Sequence, residues 1–267
     1  AEAATSNIKS ILLIGQDKRE GQSRQRSDSM ILATLDKDQK TISLTSFMRD
    51  LYVAIPGYSS TRINAAYAYG GMDLLDETLT QNFGVEIDGN VEVDFEVFQV
   101  LVDKVGGIDL ELTQAEADYI CGRDQSVLYP QPLRTDWDLQ EGMNHLDGEQ
   151  ALIHARNRSI GNSDYRRTER QQEVLMAAFE KVKDLSAFSI AGLVKDVLPL
   201  VTTDLSFTEI IGYAMDVMSI GTGDIATYRI PEDGAYTPQT ISGMQVLVPD
   251  LEQNRKYLQQ VLYHAEA

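Results

Sequence analysis

The chain of 267 residues has one cysteine, three histidines and one tryptophan. The single Cys121 excludes an internal disulfide and a zinc site built on cysteines, and no two histidines have the spacing of metal ligands. No run approaches the roughly 20 apolar residues of a membrane-spanning helix, and no secretory signal is present. The sequence also lacks a P-loop for nucleotide phosphates and the G-x-S-x-G turn of serine hydrolases. These absences exclude the commonest metal, nucleotide and hydrolase sites.

Positive charge is scarce as well, because 23 lysines and arginines stand against 41 acidic residues, for a formal net charge of −18. A protein that binds DNA or RNA over a wide surface needs a basic one, so we expect no nucleic-acid partner. The apolar share of 43% and the charged share of 24% are those of a globular protein. For a chain of this length we expect a single domain over residues 1–267.

Strand-like and helix-like segments alternate through most of the chain. Apolar or alternating runs predict strands at 8–14, 30–35, 41–47, 91–95, 108–112 and 225–230. Helical spacing predicts helices at 72–83, 97–105, 147–155, 164–185, 190–201, 208–218 and 249–264, the first of them ending at Gly84 and the third capped by Asp147. The stretch 122–144 contains two prolines and predicts a long surface excursion. The pattern predicts an α/β fold, a single layered domain with a central mixed β-sheet flanked by helices.

The 14 arginines are unevenly spread, since nine of them lie in three short polar segments. These nine are Arg19, Arg24 and Arg26; Arg49; and Arg156, Arg158, Arg166, Arg167 and Arg170. Arginine is favoured where a phosphate is bound in bidentate geometry. Cations near the first turn of a helix oppose its dipole unless an anion binds there. The clusters therefore predict a site for a phosphate-containing ligand, and a solvated basic face remains the alternative for the last segment.

In the last of these segments, which begins at Arg156, the residue spacing predicts how the side chains are directed. An extended backbone over residues 156–158 would place the guanidinium groups of Arg156 and Arg158 on one side. In the helix that follows, Arg167, Gln171 and Val174 share a face by their i, i+4, i+7 spacing. The sequence thus predicts that two elements present basic and amide side chains to one ligand.

Two acidic residues lie at the ends of predicted strands. Asp17 follows the first strand and Asp28 precedes the second, so adjacent strand edges would bring two carboxylates around a cation. Carboxylates with few other protein ligands suit Mg²⁺, which shares its shell with waters and substrate phosphates. Two solvated loop aspartates are the alternative interpretation.

Seven stretches resemble, in order, the LytR-CpsA-Psr family of cell-wall glycopolymer ligases. They are ILLIGQDKR at 11–19, RSDSMILATLD at 26–36, SLTSFMRDLYVAIPG at 43–57, RINAAYAYGG at 62–71, the run from VDF to LVDKVGGIDLEL at 93–112, LDGEQALIHARNR at 146–158 and DYRRTERQQEVL at 164–175. They cover roughly residues 8–185. Met48 departs from the family, which usually has proline there, and we expect the local turn to be looser for it.

The resemblance implies a phosphotransferase that moves a glycopolymer, such as wall teichoic acid or capsule, from a polyprenyl pyrophosphate carrier to a peptidoglycan hydroxyl. The product is a phosphodiester, and the leaving group is polyprenyl phosphate. The resemblance also implies the extracellular face of the cytoplasmic membrane in a Gram-positive-type bacterium, with a single-pass N-terminal anchor that this chain does not include. A lipid pyrophosphatase and a non-catalytic binder of polyprenyl phosphate or polyanions remain the alternatives.

The family's motifs also imply a role for particular residues. By this resemblance Asp17 and Asp28 bind Mg²⁺ or Mn²⁺. Arg49 and Asp164 are the catalytic residues, with Asp164 as proton acceptor. The pyrophosphate-binding positions are Arg26, Arg49, Arg156, Arg158, Arg167 and Gln171. A polyprenyl tail needs an apolar slot, for which the candidates are Val174, Ala178, Phe179 and Val182, although such stripes are more often core.

Overall fold

In a computed structural model of the chain, the described residues are 7–16, 27–161, 163–183, 185–221 and 225–265, without the side chains of residues 163 and 164. They form two compact units. Unit 1 takes its residues from 1–94 and 198–267, and unit 2 takes residues 95–197.

Unit 1 contains the main sheet and three helices. Its first elements are β1 (Ile8–Gln16), β2 (Ser27–Asp36), β3 (Thr41–Phe47), β4 (Tyr52–Val53), β5 (Thr61–Arg62), α1 (Asn64–Phe83) and β6 (Gly89–Asp94). Unit 2 follows with α2 (Phe95–Lys104), β7 (Ile108–Leu112), α3 (Gln114–Ile120), β8 (Gly142–Leu146), α4 (Gly148–Arg156), α5 (Ser163–Lys183) and α6 (Ala187–Val197). The chain then returns to unit 1 with β9 (Thr202–Thr203), α7 (Phe207–Ile220), β10 (Ile225–Ile230), β11 (Tyr236–Ile241), β12 (Met244–Pro249) and α8 (Leu251–Tyr263).

The main sheet has six strands in the order β10-β3-β2-β1-β6-β9. Strand β2 is antiparallel to β1 and β3, whereas β6 runs parallel to β1 and β10 runs parallel to β3. Every residue from Met30 to Asp36 is buried, so both faces of β2 are covered. The predicted α/β class with a central mixed sheet flanked by helices is confirmed.

Helix α1 differs from its prediction at one end. It begins at Asn64 rather than residue 72, and it is interrupted at Gly71, whose φ of 72° and ψ of −152° are not helical. Only glycine adopts such a conformation without strain. The break at Gly71 explains why the sequence pattern predicted a helix that starts only after it. The predicted end is confirmed, because Gly84 is left-handed (φ 69°) and its N–H donates to the Thr80 carbonyl.

Unit 2 packs helices around the antiparallel β7–β8 pair, with Ile108 opposite Leu146. Asp147 caps α4 through a capping box with Gln150, as predicted. Residues 121–141 contain no helix or strand, so the predicted excursion over 122–144 is confirmed up to residue 141, and its last three residues belong to β8. Within the described ranges, no helix has both the length and the apolar composition that a bilayer crossing requires.

The sequence pattern missed the short α3 and the β11–β12 pair. Helix α3 has seven residues, too few for a helical period to stand out. Strand β11 is exposed at four of its six positions and does not alternate in polarity. Two local signals were overlooked, namely the capping box of Thr113 and Glu116 at the start of α3 and the Ser242-Gly243 turn between β11 and β12.

Candidate functional site

Asp28 occupies a β-bulge near the start of β2. Gly15 of β1 pairs with Ser29 and Gln16 pairs with Ser27, so Asp28 is left without a partner across the ladder. A bulge re-aims one side chain out of the regular alternation, and bulges are frequent beside active sites. Gly15 permits the close approach of the strands, because a Cβ at this position would lie 3.0 Å from the Cβ of Ser29.

Arg49 contacts Asp28 in unit 1. Its Nη1 donates a hydrogen bond to Oδ1 of Asp28 over 2.9 Å, and both side chains are partly exposed. Nε of Arg49 lies 3.8 Å from Oδ2 of Asp50, and Oδ1 of Asp50 lies 3.2 Å from Nε of Arg62. Asp28, Arg49, Asp50 and Arg62 thus form a row of alternating charges, which we call the charge chain. It brings together two of the predicted site residues, Asp28 and Arg49.

The turn that carries Arg49 is tied down by backbone hydrogen bonds. The Met48 N–H donates to the Ile230 carbonyl over 2.8 Å, and the Leu51 N–H donates to the Met48 carbonyl over 3.1 Å. The Leu247 N–H donates to the Asp50 carbonyl over 2.9 Å. A proline at position 48 has no N–H and cannot make the first bond. Met48 therefore ties the end of β3 to the end of β10, rather than loosening the turn as expected.

Arg62 was not among the predicted site residues. It reaches Asp50 because β4 and β5 form an antiparallel pair with Tyr52 opposite Arg62. Its Nη2 also donates to the Gln245 carbonyl over 2.5 Å. In the sequence it stands apart from the arginine segments, and the only available signal was its position at the head of the RINAAYAYGG stretch.

Three predicted residues cannot be placed among these contacts. Asp17 and Arg26 lie outside the described residues, and so does the side chain of Asp164. The backbone of Asp164 forms the second position of α5. Their proposed roles stay predictions.

In unit 2, Arg156 and Arg158 lie on either side of a helix end. Arg156 is the last residue of α4, and its guanidinium carbon lies 4.0 Å from the centroid of the Phe95 ring. Asn157 follows with an extended backbone, and its Oδ1 accepts from the N–H groups of Ser159 and Ile160 over 2.9 and 3.3 Å. The predicted extended backbone through Arg156 was wrong, because α4 continues to this residue.

Arg170 holds the segment that carries Arg158. Its side chain is 0% exposed, and its Nη1 and Nη2 donate to the carbonyls of Asn157 and Ile160 over 3.1 and 3.0 Å. Its Nε donates to Oε1 of Glu116 over 2.9 Å. Since the guanidinium is buried and hydrogen-bonded to three partners, Arg170 holds the segment that carries Arg158 in place.

Glu116 supplies the counter-charge for Arg170. Burial works to raise the pKa of Glu116, but hydrogen bonds from the Thr113 backbone and from Arg170 outweigh it, so the pKa lies below its ordinary value. Thr113 also donates through its hydroxyl, and the two residues form the capping box of α3. Glu116 is therefore a carboxylate at neutral pH. Its buried charge is paired with Arg170, as buried charges in proteins usually are.

The remaining members of the third arginine segment differ in exposure. Arg167 is buried, Gln171 and Arg158 are partly buried, and Arg156 is exposed. Nη1 of Arg166 lies 2.9 and 3.1 Å from carboxylate oxygens of Glu169 and Glu173. The five arginines are thus a set of distinct environments rather than one solvated basic face.

The candidate lipid-lining residues divide between core and partial burial. Val174 belongs to the hydrophobic core of unit 2, and Ala178 packs against that core. Phe179 and Val182 are partly buried. The first two thus contribute to the packing of their own unit, and the lining role of all four stays a prediction.

No group of three or more histidine, cysteine or acidic side chains is arranged as a metal site in the part of the chain that the structure describes. Asp28 is nevertheless compatible with a cation. A carboxylate offers about four acceptor positions, so its bond to Arg49 leaves capacity for a hard cation on the same group. The donor chemistry of Asp28 therefore fits Mg²⁺.

A bulged aspartate beside an arginine, and an arginine segment clamped by a buried guanidinium, lie on the same stretches that suggested a family. A family model described as LytR_cpsA_psr matches residues 2–260. The chain belongs to the LytR-CpsA-Psr family. This one family model spans residues of both units.

Two of the chain's relatives come from Bacillus subtilis (strain 168). The chain is 31% identical over 235 residues to the polyisoprenyl-teichoic acid–peptidoglycan teichoic acid transferase TagT, covering 85% of this chain and 70% of TagT. It is 31% identical over 261 residues to the corresponding transferase TagV, covering 95% of this chain and 64% of TagV. The chain thus spans about two thirds of the length of these relatives.

Solved LytR-CpsA-Psr structures have the same fold. TagT bound to LIIa-WTA superposes with a TM-score of 0.77 at 27% identity, over 97% of this chain and 92% of that one. The protein YwtF (TagT) with bound octaprenyl pyrophosphate lipid gives a TM-score of 0.72 at 25% identity, with the same coverage of the two chains.

Proposed function

We propose that this LytR-CpsA-Psr protein transfers a glycopolymer from a polyprenyl pyrophosphate carrier to a hydroxyl group of peptidoglycan. TagT and TagV are named for such a transfer, and one relative has been solved with a polyprenyl pyrophosphate. The observation that carries the proposal is the arrangement of the motif arginines. Arg49 is partly exposed beside Asp28, and Arg158 lies in a segment held in place by Arg170.

In the proposed reaction, the acceptor hydroxyl attacks the phosphorus that carries the glycopolymer. A new P–O bond forms to the acceptor, and the bridging P–O bond of the pyrophosphate breaks. Polyprenyl phosphate leaves with the electron pair, and the hydroxyl proton passes to a base, for which we propose Asp164. Phosphoryl transfer of this kind depends mainly on positioning and on placed positive charge.

We propose a pyrophosphate-binding role for the motif arginines and for Gln171. In unit 1 we assign this role to Arg49, supported by its contact with Asp28, and to Arg26. In unit 2 we assign it to Arg156, Arg158, Arg167 and Gln171. Guanidinium groups offer paired donors that match phosphate oxygens, and they stay charged throughout the accessible pH range.

We propose that Asp17 and Asp28 hold one Mg²⁺, with Mn²⁺ as a substitute. When bound, the ion would neutralise charge on the pyrophosphate oxygens. The partly exposed Asp28 at the β-bulge supports this role through its carboxylate chemistry.

The carrier and the acceptor imply a location and a lipid contact. We propose that the protein acts at the extracellular face of the cytoplasmic membrane, held there by an N-terminal membrane anchor. Phe179 and Val182, which are partly buried, are the better candidates to contact the polyprenyl chain, and Val174 and Ala178 support them from the core.

The test uses a labelled lipid-linked saccharide, peptidoglycan and Mg²⁺. Arg158→Ala and Asp17→Ala should each lower transfer by about 10² to 10³ fold, the usual cost of removing one group that stabilises charge. Arg134→Ala is the matched control, because Arg134 is outside the family's motifs and pairs with Glu149. Chelation by EDTA should abolish transfer, and added Mg²⁺ should restore it.

Unchanged transfer in both variants would refute the site assignment. Cleavage of the carrier by water without transfer would favour a pyrophosphatase. If neither cleavage nor transfer occurs although the lipid is bound, the protein is a binder.

A further inference from the structure

Two exposed tyrosines of unit 1 stack on each other. The ring centroids of Tyr58 and Tyr69 lie 4.7 Å apart, with an angle of 22° between the ring planes. Tyr58 is 53% exposed and Tyr69 is 45% exposed. Large aromatic residues usually bury most of their surface, so a stacked pair in solvent needs an explanation. We call this pair the tyrosine platform.

The platform is held in place before any ligand arrives. Tyr58 lies in the connection between β4 and β5, where its N–H donates to the Ile55 carbonyl over 2.9 Å in a tight turn. Tyr69 lies on α1, two residues before the break at Gly71. Because the backbone is ordered and the rings support each other, little side-chain freedom is lost on binding.

The chain segment that carries the platform is unusually neutral for this chain. Residues 51–72 contain no acidic residue and no lysine, and their one charged side chain is Arg62, although the chain has a net charge of −18. Four of the 12 tyrosines lie in this stretch. Ser59 and Ser60, next to Tyr58, are exposed. Such a surface suits an uncharged ligand with many hydroxyl groups.

Hexopyranose rings have this chemistry. One face of the ring carries C–H groups that pack on an aromatic ring, and the hydroxyl groups at its edge bond to polar groups such as a phenol or a serine. A lipid surface also accommodates tyrosine, but interfacial elements combine aromatic residues with a polar face rich in lysine and arginine, and residues 51–72 have one basic residue, Arg62. A nucleic acid would require several cations, and this stretch has only Arg62.

We propose that the tyrosine platform binds the sugar rings of the acceptor glycan strand. This rests on the proposed function, which requires a glycan acceptor. The donor already has a charged handle, its pyrophosphate, for the arginines. The acceptor sugars have no phosphate, so a neutral aromatic surface is the appropriate contact.

The platform and the charge chain are connected along the sequence by the segment that contains Arg62. Arg62 follows Tyr58 by four residues and precedes Tyr69 by seven, and it contacts Asp50 and through it Arg49. A glycan strand lying on the platform would therefore run beside the residues assigned to the pyrophosphate in unit 1. This places an acceptor next to those residues without any charged contact to the sugar.

The test measures glycan binding by calorimetry, with an N-acetylglucosamine hexamer and with purified peptidoglycan glycan strands. The double variant Tyr58→Ala, Tyr69→Ala should bind both probes about tenfold more weakly or worse. The double variant Tyr58→Phe, Tyr69→Phe keeps the rings and should stay within about threefold of the wild type. Tyr129→Ala removes an exposed tyrosine of unit 2 and should have no effect.

Binding of octaprenyl pyrophosphate separates this inference from the proposed function. The platform variants should retain it, and in the transfer assay their KM for the acceptor should rise while kcat changes little. If the wild type does not bind octaprenyl pyrophosphate, this result counts against the proposed function, whatever the glycan results.

The platform inference is overturned if the double alanine variant binds the glycans as well as the wild type. It is equally overturned if the folded wild type binds neither probe, or if only soluble teichoic acid competes for the platform. Tyr58→Ala alone, at an exposed turn, provides a second variant should the double variant fold poorly.

Discussion

Nε of Arg170 donates to Oε1 of Glu116 over 2.9 Å, and this ion pair is almost completely removed from water. The two residues are 54 positions apart in the sequence, on α5 and α3. Removing two charges from water is costly, and the cost is offset only when hydrogen bonds satisfy both groups. Arg170 meets this condition through two backbone carbonyls, and Glu116 meets it through Thr113. The pair therefore couples the arginine segment to the body of unit 2.

Arg170→Met should destabilise the protein by about 3–5 kcal/mol, because the buried Glu116 carboxylate loses its closer ion pair and keeps only Arg166, whose Nη2 lies 3.5 Å from Oε1. The thermal midpoint should fall by about 10 °C. Arg134→Met, which removes a partly exposed arginine paired with Glu149, should cost at most about 1 kcal/mol.

The double variant Arg170→Met, Glu116→Leu should recover part of the loss, since it leaves no unpaired buried charge. Equal thermal midpoints for the Arg170 and Arg134 variants would contradict the structural importance of the pair.

Asp76 on α1 predicts a pH-dependent stability. Its Oδ2 accepts from Nδ2 of Asn90 over 2.7 Å, and the same amide donates to Asp204 over 2.9 Å. Burial raises the pKa of Asp76 from 3.8 to about 6, against the lowering effect of the Asn90 hydrogen bond, and the Asp204 and Asp73 charges raise it further. The protonated form is thus favoured by folding, so its stabilising contribution is complete below about pH 4 and is lost as the pH rises through 6.

Asp76→Asn is neutral at every pH and still offers an acceptor to Asn90. Its thermal midpoint, relative to that of the wild type, should therefore be higher at pH 7.5 than at pH 4.5. Glu77→Gln, which changes an exposed carboxylate on the same helix that is not among the groups shifting Asp76, should leave the pH profile nearly parallel to the wild type. Parallel profiles for Asp76→Asn as well would show that its carboxyl does not titrate as described.

Met48→Pro restores the residue that the family usually has. We expect it to lower the free energy of unfolding by about 1–3 kcal/mol, because proline cannot donate to the Ile230 carbonyl and the buried methionine side chain is lost. Chemical denaturation measures the change. Met48→Leu, which keeps the N–H and most of the side chain, should cost less than about 1.5 kcal/mol. A stabilised Met48→Pro variant would show that the hydrogen bond matters less than the stiffness of proline.

The spacing of apolar residues in the sequence was sufficient to predict an element wherever burial follows a regular pattern along it. The strands β3, β7 and β10 have the predicted boundaries, because each is a run of strand-forming residues between turn residues. The caps at Asp147 and Gly84 were also predictable, since each is a local interaction within four residues. The break at Gly71 was mistaken for the start of a helix. A glycine in a sequence does not show whether it precedes a helix or interrupts one through a positive φ.

The amino-acid sequence by itself determined the α/β class, most elements and the family, through composition, periodicity and seven ordered stretches. It also singled out nine clustered arginines, but not their environments, and it missed Arg62. Tertiary structure alone decided that Asp28 sits at a bulge beside Arg49, that Arg62 joins them through Asp50, and that Arg170 is buried against Glu116. These contacts join residues 12 to 54 positions apart, and their geometry depends on strand register and helix packing, which no local pattern encodes.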